Sequence, residues 1–211
     1  MEKAHQSQSP QPRGVTAEDG SSLARFERAA LELFTTTSVD STTTKQIAAK
    51  AGLSEGLLYH YAKSKNELAQ NMFFAIHSRL GVLVRQAGQE GKTLDEKAAN
   101  IVQSYLQCGD DDWTLFSYHI LTTHRFLGNN LSTDNPVTAT EDILRAAIEA
   151  KEIPQTNVVL LAAMVLGIVL QPALHKAHGR IDTPLCAHKK TITAAVQRIL
   201  HPSTIQLFTE M

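Results

Sequence analysis

Apolar residues recur along this chain at three- and four-residue spacings and strand-like alternation is scarce, so the pattern predicts an all-α protein. Phe26, Ala29, Ala30, Leu33 and Phe34 form the first stripe, the buried face of a helix over about 22–36. The run Thr35-Thr36-Thr37-Ser38 ends it, because short hydroxylated side chains compete for backbone hydrogen bonds. Thr43-x-x-Gln46 reads as a capping box opening a second helix that closes near Ala51-Gly52, and Ser54 caps a short third helix to about Tyr61. Ser64-x-x-Glu67 opens a long fourth helix, carrying Leu68, Met72, Ile76, Leu80 and Leu83 until the stop signals Gly88 and Gly91.

Thr93-x-x-Glu96 starts a fifth helix with Ala98, Ile101, Val102, Tyr105 and Leu106 on one side. A sixth spans about 111–127, a loop follows at 129–135, and Pro136 suits the first turn of a seventh helix ending near Lys151. The most apolar helix covers about 157–178, with Gly179 as its stop. Thr183-Pro184 then begins a last helix to about Leu200. The expectation is about nine helices: a small N-terminal unit of three plus the start of the fourth, and a larger C-terminal helical body.

Composition narrows this picture without deciding it. The 211 residues are 43% hydrophobic and 19% charged, values of an ordinary globular protein able to bury a core. Net charge is −1, so a claim of nucleic-acid binding has to rest on local charge. Residues 1–20 lack an apolar segment and are rich in Gln, Ser, Pro and Gly. They read as a disordered tail and not as a signal peptide. The apolar run 158–170 is too short to span a bilayer, which points to a buried helix, no membrane partner and a cytoplasmic protein. Cys108 and Cys186 show neither metal spacing nor a disulfide framework, which fits a reducing compartment.

The stretch Ile47-Ala48-Ala49-Lys50-Ala51-Gly52-Leu53-Ser54, followed by Leu57-Leu58-Tyr59, carries the functional signal. Two helices joined by a tight turn cross steeply only over a small contact, which Ala48 provides. Gly52 can adopt the left-handed conformation of the turn. Ile47, Leu53 and Leu58 then pack both helices on the first, leaving the third helix outward where it can enter a major groove. Between 41 and 66 the chain carries Lys45, Lys50, Lys63 and Lys65 against Glu55, a local excess of three positive charges that suits phosphates. Taken alone, the same features fit a packing motif with a solvated lysine face.

The wider pattern decides between these readings. Ala29-Ala30 and Leu33-Phe34, Thr42-Thr43, Ile47-Ala48, Ala51-Gly52-Leu53-Ser54 and Gly56 make up its first half. Leu58-Tyr59-His60-Tyr61, Lys63-Ser64-Lys65, Glu67 and Leu68 complete a stretch that resembles the DNA-binding domain of the tetracycline-repressor (TetR) family. The resemblance implies a helix-turn-helix domain at 21–67 and a ligand-binding and dimerisation domain at 68–203. It also implies that Thr43, Thr44, Tyr59, Tyr61 and Lys65 hold phosphates while Glu55, Gly56, Leu57 and His60 face bases. Three positions depart from the family pattern. Ser38 stands for the usual glycine, Ala62 for a phenylalanine, and Leu57, which can offer a base only an apolar contact, for a serine or threonine.

In the body, the sixth helix is aromatic, with Trp113, Phe116, Tyr118, His119 and Phe126 interleaved with Thr122, Thr123 and His124. Phe73, Phe74, His77, Tyr105, Trp113, Phe116, His119 and Thr123 are the candidate effector-site residues, although aromatic residues at helical spacing also build plain cores. Ala162, Ala163 and Gly167 permit close helix approach, and Ile192, Ala195, Val196 and Ile199 give the last helix an apolar stripe. The resemblance implies a homodimer through helices eight and nine. His175-x-x-His178 lacks a carboxylate or cysteine at ligand spacing and reads as surface histidines, so no metal or other cofactor is expected.

The expected protein is therefore not an enzyme. It is a regulator whose partners are double-stranded operator DNA, a small-molecule effector of unknown identity and a second copy of the chain. The alternatives are a DNA-binding regulator without an effector, and an all-helical enzyme using His119, His124 or Cys108. No nucleophile, metal or phosphate-loop motif supports the last.

Overall fold

The computed structural model describes residues 20–127 and 135–201. Among these the regular structure is helical throughout. The elements are α1 (Ser22–Thr36), α2 (Thr44–Ala51), α3 (Glu55–Tyr61), α4 (Lys65–Glu90), α5 (Leu94–Asp111), α6 (Trp113–Phe126), α7 (Pro136–Glu149), α8 (Val158–Ala177), a 3₁₀ turn (Leu185–His188) and α9 (Lys189–Leu200). The expected tail lies outside the described residues apart from Gly20, and the expected loop at 129–135 apart from Asn135.

Helix ends follow the polar signals. Thr43 accepts from the Gln46 N–H while the Gln46 side chain accepts from the Thr43 N–H, a complete capping box. Ser54, Thr93 and Asn157 cap α3, α5 and α8 by the first half of that arrangement, each side chain accepting the N–H of the residue three places on. Gly52 ends α2 at φ +65°, in the left-handed region that glycine enters without penalty. The last helix departs from expectation. Its first turn is 3₁₀, because the Asp110 carboxylate accepts both the Leu185 N–H (2.8 Å) and the Cys186 N–H (2.9 Å) and so fixes that turn onto α5. Leu185, fully buried, anchors it.

The chain divides into two compact units, Met1–Ala75 and Ile76–Met211, with the division inside α4. In the first, α1, α2 and α3 pack on one another around Phe26, Ala30, Ile47 and Leu58, all at 0% exposure. In the second, α8 packs against α6, α7 and α9, and α5 against α6 and α9. Tyr105, Phe116, Tyr118 and Leu106 fill that core. One glycine there is a packing requirement: a Cβ on Gly81 of α4 would lie 2.7 Å from the backbone of the buried N-cap Asn135 of α7.

Helix α8 has the length, 20 residues, and the mean hydropathy, 2.2, of a membrane span, with 33% of that window buried. Its inward face is Leu161, Ala162, Val165, Leu166, Val169 and Ala173. The other face leaves Val159 62%, Leu160 59% and Met164 44% exposed.

Candidate nucleic-acid interface and effector cavity

Position in the helix-turn-helix follows from a few side chains. Ala48, 3% exposed, permits the close crossing, while Ile47 and Leu58 are fully buried and Leu53 is only half-buried. Arg25 of α1 donates to the carbonyls of Ala51 (2.6 Å) and Gly52 (3.3 Å), neutralising the carbonyl end of α2 and holding the turn. A Cβ at Gly52 would stand 3.0 Å from that guanidinium, a second reason for glycine there.

Ser38, where the resemblance leads one to expect glycine, has φ +116°. The turn before α2 therefore keeps a glycine-like backbone with a side chain on it. Thr42 donates to the Ser38 carbonyl (2.7 Å), and the Ser41 N–H donates to the Ser38 hydroxyl oxygen (3.2 Å), which together hold the strained residue in place. Ser38→Gly is expected to stabilise the protein by about 1 kcal/mol in chemical denaturation, relief of strain outweighing the lost hydroxyl. A loss of stability would show that the serine contacts dominate.

The expected DNA-contacting residues are placed unevenly. Gly56, Tyr59, His60 and Tyr61 are exposed, Leu57 and Glu55 half-buried. Tyr61 is turned partly inward, its ring centroid 6.1 Å from that of Phe26 and 5.6 Å from that of His60, beside the buried Ala62. Thr43 donates to Gln46 Oε1 (3.0 Å), and Thr44 donates to the Glu55 carboxylate, with the Tyr59 hydroxyl 3.5 Å away. Lys65 Nζ donates to the carbonyls of Asp40 (2.9 Å) and Thr42 (2.7 Å), so it pins α4 to the loop before α2. Lys50 pairs with Glu32 (2.8 Å). Lys45, in the first turn of α2, and Lys63, before α4, are exposed and bring charge to this surface. Neither was singled out as a contact residue from sequence. The position of Lys45 two residues after the α2 cap was the available signal.

In the second unit the aromatic set separates into two groups. His77 Nδ1 lies 2.9 Å from His119 Nε2, the rings stacked at 5.2 Å and both residues almost fully buried. Burial lowers the pKa of both imidazoles, and His77 lowers that of His119 further, so the pair is neutral. Thr123 donates to the His119 carbonyl (2.7 Å). Tyr105 packs edge-on against Phe116 (5.7 Å), which meets Trp113 (6.4 Å); Lys176 sits over the Trp113 ring. Phe73 and Phe74 meet each other (5.5 Å) in the first unit.

A small, partly open cavity of the second unit lies elsewhere. It is about 30 Å³, bounded by α5, α7, α8 and α9, and of the expected effector residues only Tyr105 lines it. Leu94, Ile101, Ile143, Val165, Val169 and Leu200 are among its apolar walls, and no charged side chain lines it. Thr140 lines it too but donates to the Pro136 carbonyl. The buried Tyr105 hydroxyl has no hydrogen-bond partner among the described residues, and burial pushes its pKa up, so it stays a neutral donor.

The groups considered for catalysis do not form a site. His119 is buried and uncharged, His124 faces solvent, and burial raises the pKa of the Cys108 thiol, away from the reactive thiolate. Among the described residues no three His, Cys, Asp or Glu side chains gather to hold a metal.

These features define, among the described residues, an all-helical protein with an N-terminal helix-turn-helix. Residues 28–72 match the family model "Bacterial regulatory proteins, tetR family", so the N-terminal unit carries the DNA-binding domain of that family. Solved structures extend the likeness over the whole fold. The fatty acid degradation regulator FadR of Bacillus halodurans is 17% identical, with 86% of this chain and 95% of that one covered, at TM-score 0.71. The transcriptional regulator FadR of Bacillus subtilis, in complex with stearoyl-CoA, is 19% identical over 86% and 98%, at 0.67. A tetR-family regulatory protein from Rhodococcus RHA1 is 15% identical over 88% and 98%, at 0.69. No curated protein matches the sequence.

Proposed function

We propose that the protein is a homodimeric cytoplasmic repressor that binds a palindromic operator and is released by a small molecule with an apolar portion. The observation that carries this is the N-terminal unit: a helix-turn-helix with α3 outward, edged by hydroxyls, lysines and the start of α2. Such an edge suits phosphates, while the outer residues of α3 suit base contacts. The proposed contacts remain Thr43, Thr44, Tyr59, Tyr61 and Lys65 to the backbone and Glu55, Gly56, Leu57 and His60 to bases. Lys45 and Lys63 are added to the backbone set.

An effector with an apolar portion is supported by the uncharged cavity and its unpartnered Tyr105 hydroxyl, and by the acyl chain of the stearoyl-CoA held by the Bacillus subtilis neighbour. The cavity has room for about one water, so an effector has to part α5 from α7, α8 and α9. Residues of α4 belong to both units, with Lys65 in its first turn and His77 twelve residues on, which makes α4 the proposed route of coupling.

The test is fluorescence anisotropy of the purified protein on duplexes selected from a random pool, with and without stearoyl-CoA. Binding should weaken steeply with salt, as phosphate contacts require. Ligand should weaken it by about 5–150-fold, and operator should weaken ligand binding by the same factor. Tight binding that the acyl ligand leaves unchanged would overturn the effector class. Absence of salt-dependent binding would overturn the regulator.

A further inference from the structure

The first residue of α2, Thr44, and the first residue of α3, Glu55, meet at the edge where a DNA phosphate is proposed to sit. The Thr44 hydroxyl donates to Glu55 Oε1, and the Tyr59 hydroxyl, one turn further along α3, lies 3.5 Å from the Thr44 oxygen. Thr43 is engaged as well, with Gln46. One of the hydroxyls expected to receive phosphate, that of Thr44, is therefore held by an anion that the protein itself supplies, with the Tyr59 hydroxyl beside it. A carboxylate has the sign and the acceptor chemistry of a phosphate oxygen, and the start of a helix favours either.

We propose that Glu55 is a specificity-determining residue that competes with DNA phosphate for the Thr44 hydroxyl and releases it at sites where a cytosine amino group faces α3. The inference rests on the DNA-binding reading above. A phosphate arriving at Thr44 must displace the carboxylate, which loses a charge-assisted hydrogen bond and is left beside a second anion. On arbitrary sequence nothing offsets that cost. At a site presenting a cytosine N4 amino group in the major groove, the displaced carboxylate regains a donor. Glu55 thus weakens all binding and weakens it least where cytosine is in register. A carboxylate near a phosphate-binding edge, counterproductive for affinity, becomes useful for discrimination.

The experiment compares the full-length protein with Glu55→Gln on a duplex of random sequence and on the best duplex selected by the unmodified protein. Glutamine keeps an oxygen for Thr44 and removes the charge, so circular dichroism and melting should be unchanged. Glu55→Gln should tighten binding to random sequence by roughly ten-fold and to the selected duplex by clearly less, narrowing the ratio between them. Replacing the cytosine facing α3 in the selected duplex should cost the unmodified protein more than the variant. An unchanged affinity for random sequence, or equal tightening on both duplexes, would overturn the proposal, since a structural tie predicts the first and a bare charge effect the second. Failure of the unmodified protein to bind either duplex would instead remove the DNA-binding reading on which it stands.

Discussion

Gly167→Glu is expected to turn a dimer into a folded monomer that has lost most of its affinity for operator DNA. A Cβ at Gly167 meets nothing within 4 Å, so the variant side chain has room in the isolated chain. The position belongs to the outer face of α8 with Val159, Leu160, Ala163 and Met164, an apolar surface of the kind that marks an interface. In a homodimer packed through this face, each copy would bury an uncompensated carboxylate beside the other's, a cost of several kcal/mol. Two half-sites would then be read by separate chains, and the gain from linking them, about 10²–10⁴-fold, would be lost. Sedimentation at micromolar concentration reads the first effect and anisotropy on a two-half-site duplex the second. An unmodified protein that is monomeric would sink the dimer itself. Val165, also on α8, is a poor choice for this test: at 8% exposure it faces the cavity, and a charge there unfolds the body without reporting on the interface.

Acidification should destabilise the second unit through His77 and His119. Both have pKa values below the ordinary 6.5 because burial disfavours the imidazolium form. In the unfolded chain each takes up a proton near pH 6.5, whereas the folded pair resists. Stability is then fully present above the unfolded value and is lost as pH falls through and below it. Between pH 7.5 and 5.5 the two together should cost about 2–3 kcal/mol. Urea denaturation at the two pH values measures this, and the His77→Leu/His119→Phe double variant should show a shallower pH dependence. An equal slope in both proteins would mean that the histidines are not what acid attacks.

The two expectations draw on different sources. The apolar character of α8 and the helix-turn-helix were legible because each depends on local order, whereas which face of α8 stays exposed was not. Capping residues, three- and four-residue apolar spacing, and a glycine at a turn act within a few residues of where they occur in the sequence. That is why the ends of α1, α2 and α3 fall where Ser21, Thr43, Gly52 and Ser54 place them. The glycine-like turn at Ser38 was not legible, since serine by itself does not announce φ +116°. Contacts from Ser41 and Thr42 hold it there.

From its sequence alone the protein's all-helical class, its helix order, its helix-turn-helix and the apolar character of α8 were determined, because periodicity and capping are properties of neighbouring residues. Tertiary structure alone decided which side chains share a site. It gathered Tyr105, Thr140 and Val169 around one cavity while placing His77 against His119. It committed Lys65 to two loop carbonyls and brought Glu55 to Thr44, eleven residues away in the chain. Side chains on different helices meet through helix crossing and burial, and residue type and spacing along one chain do not specify those meetings.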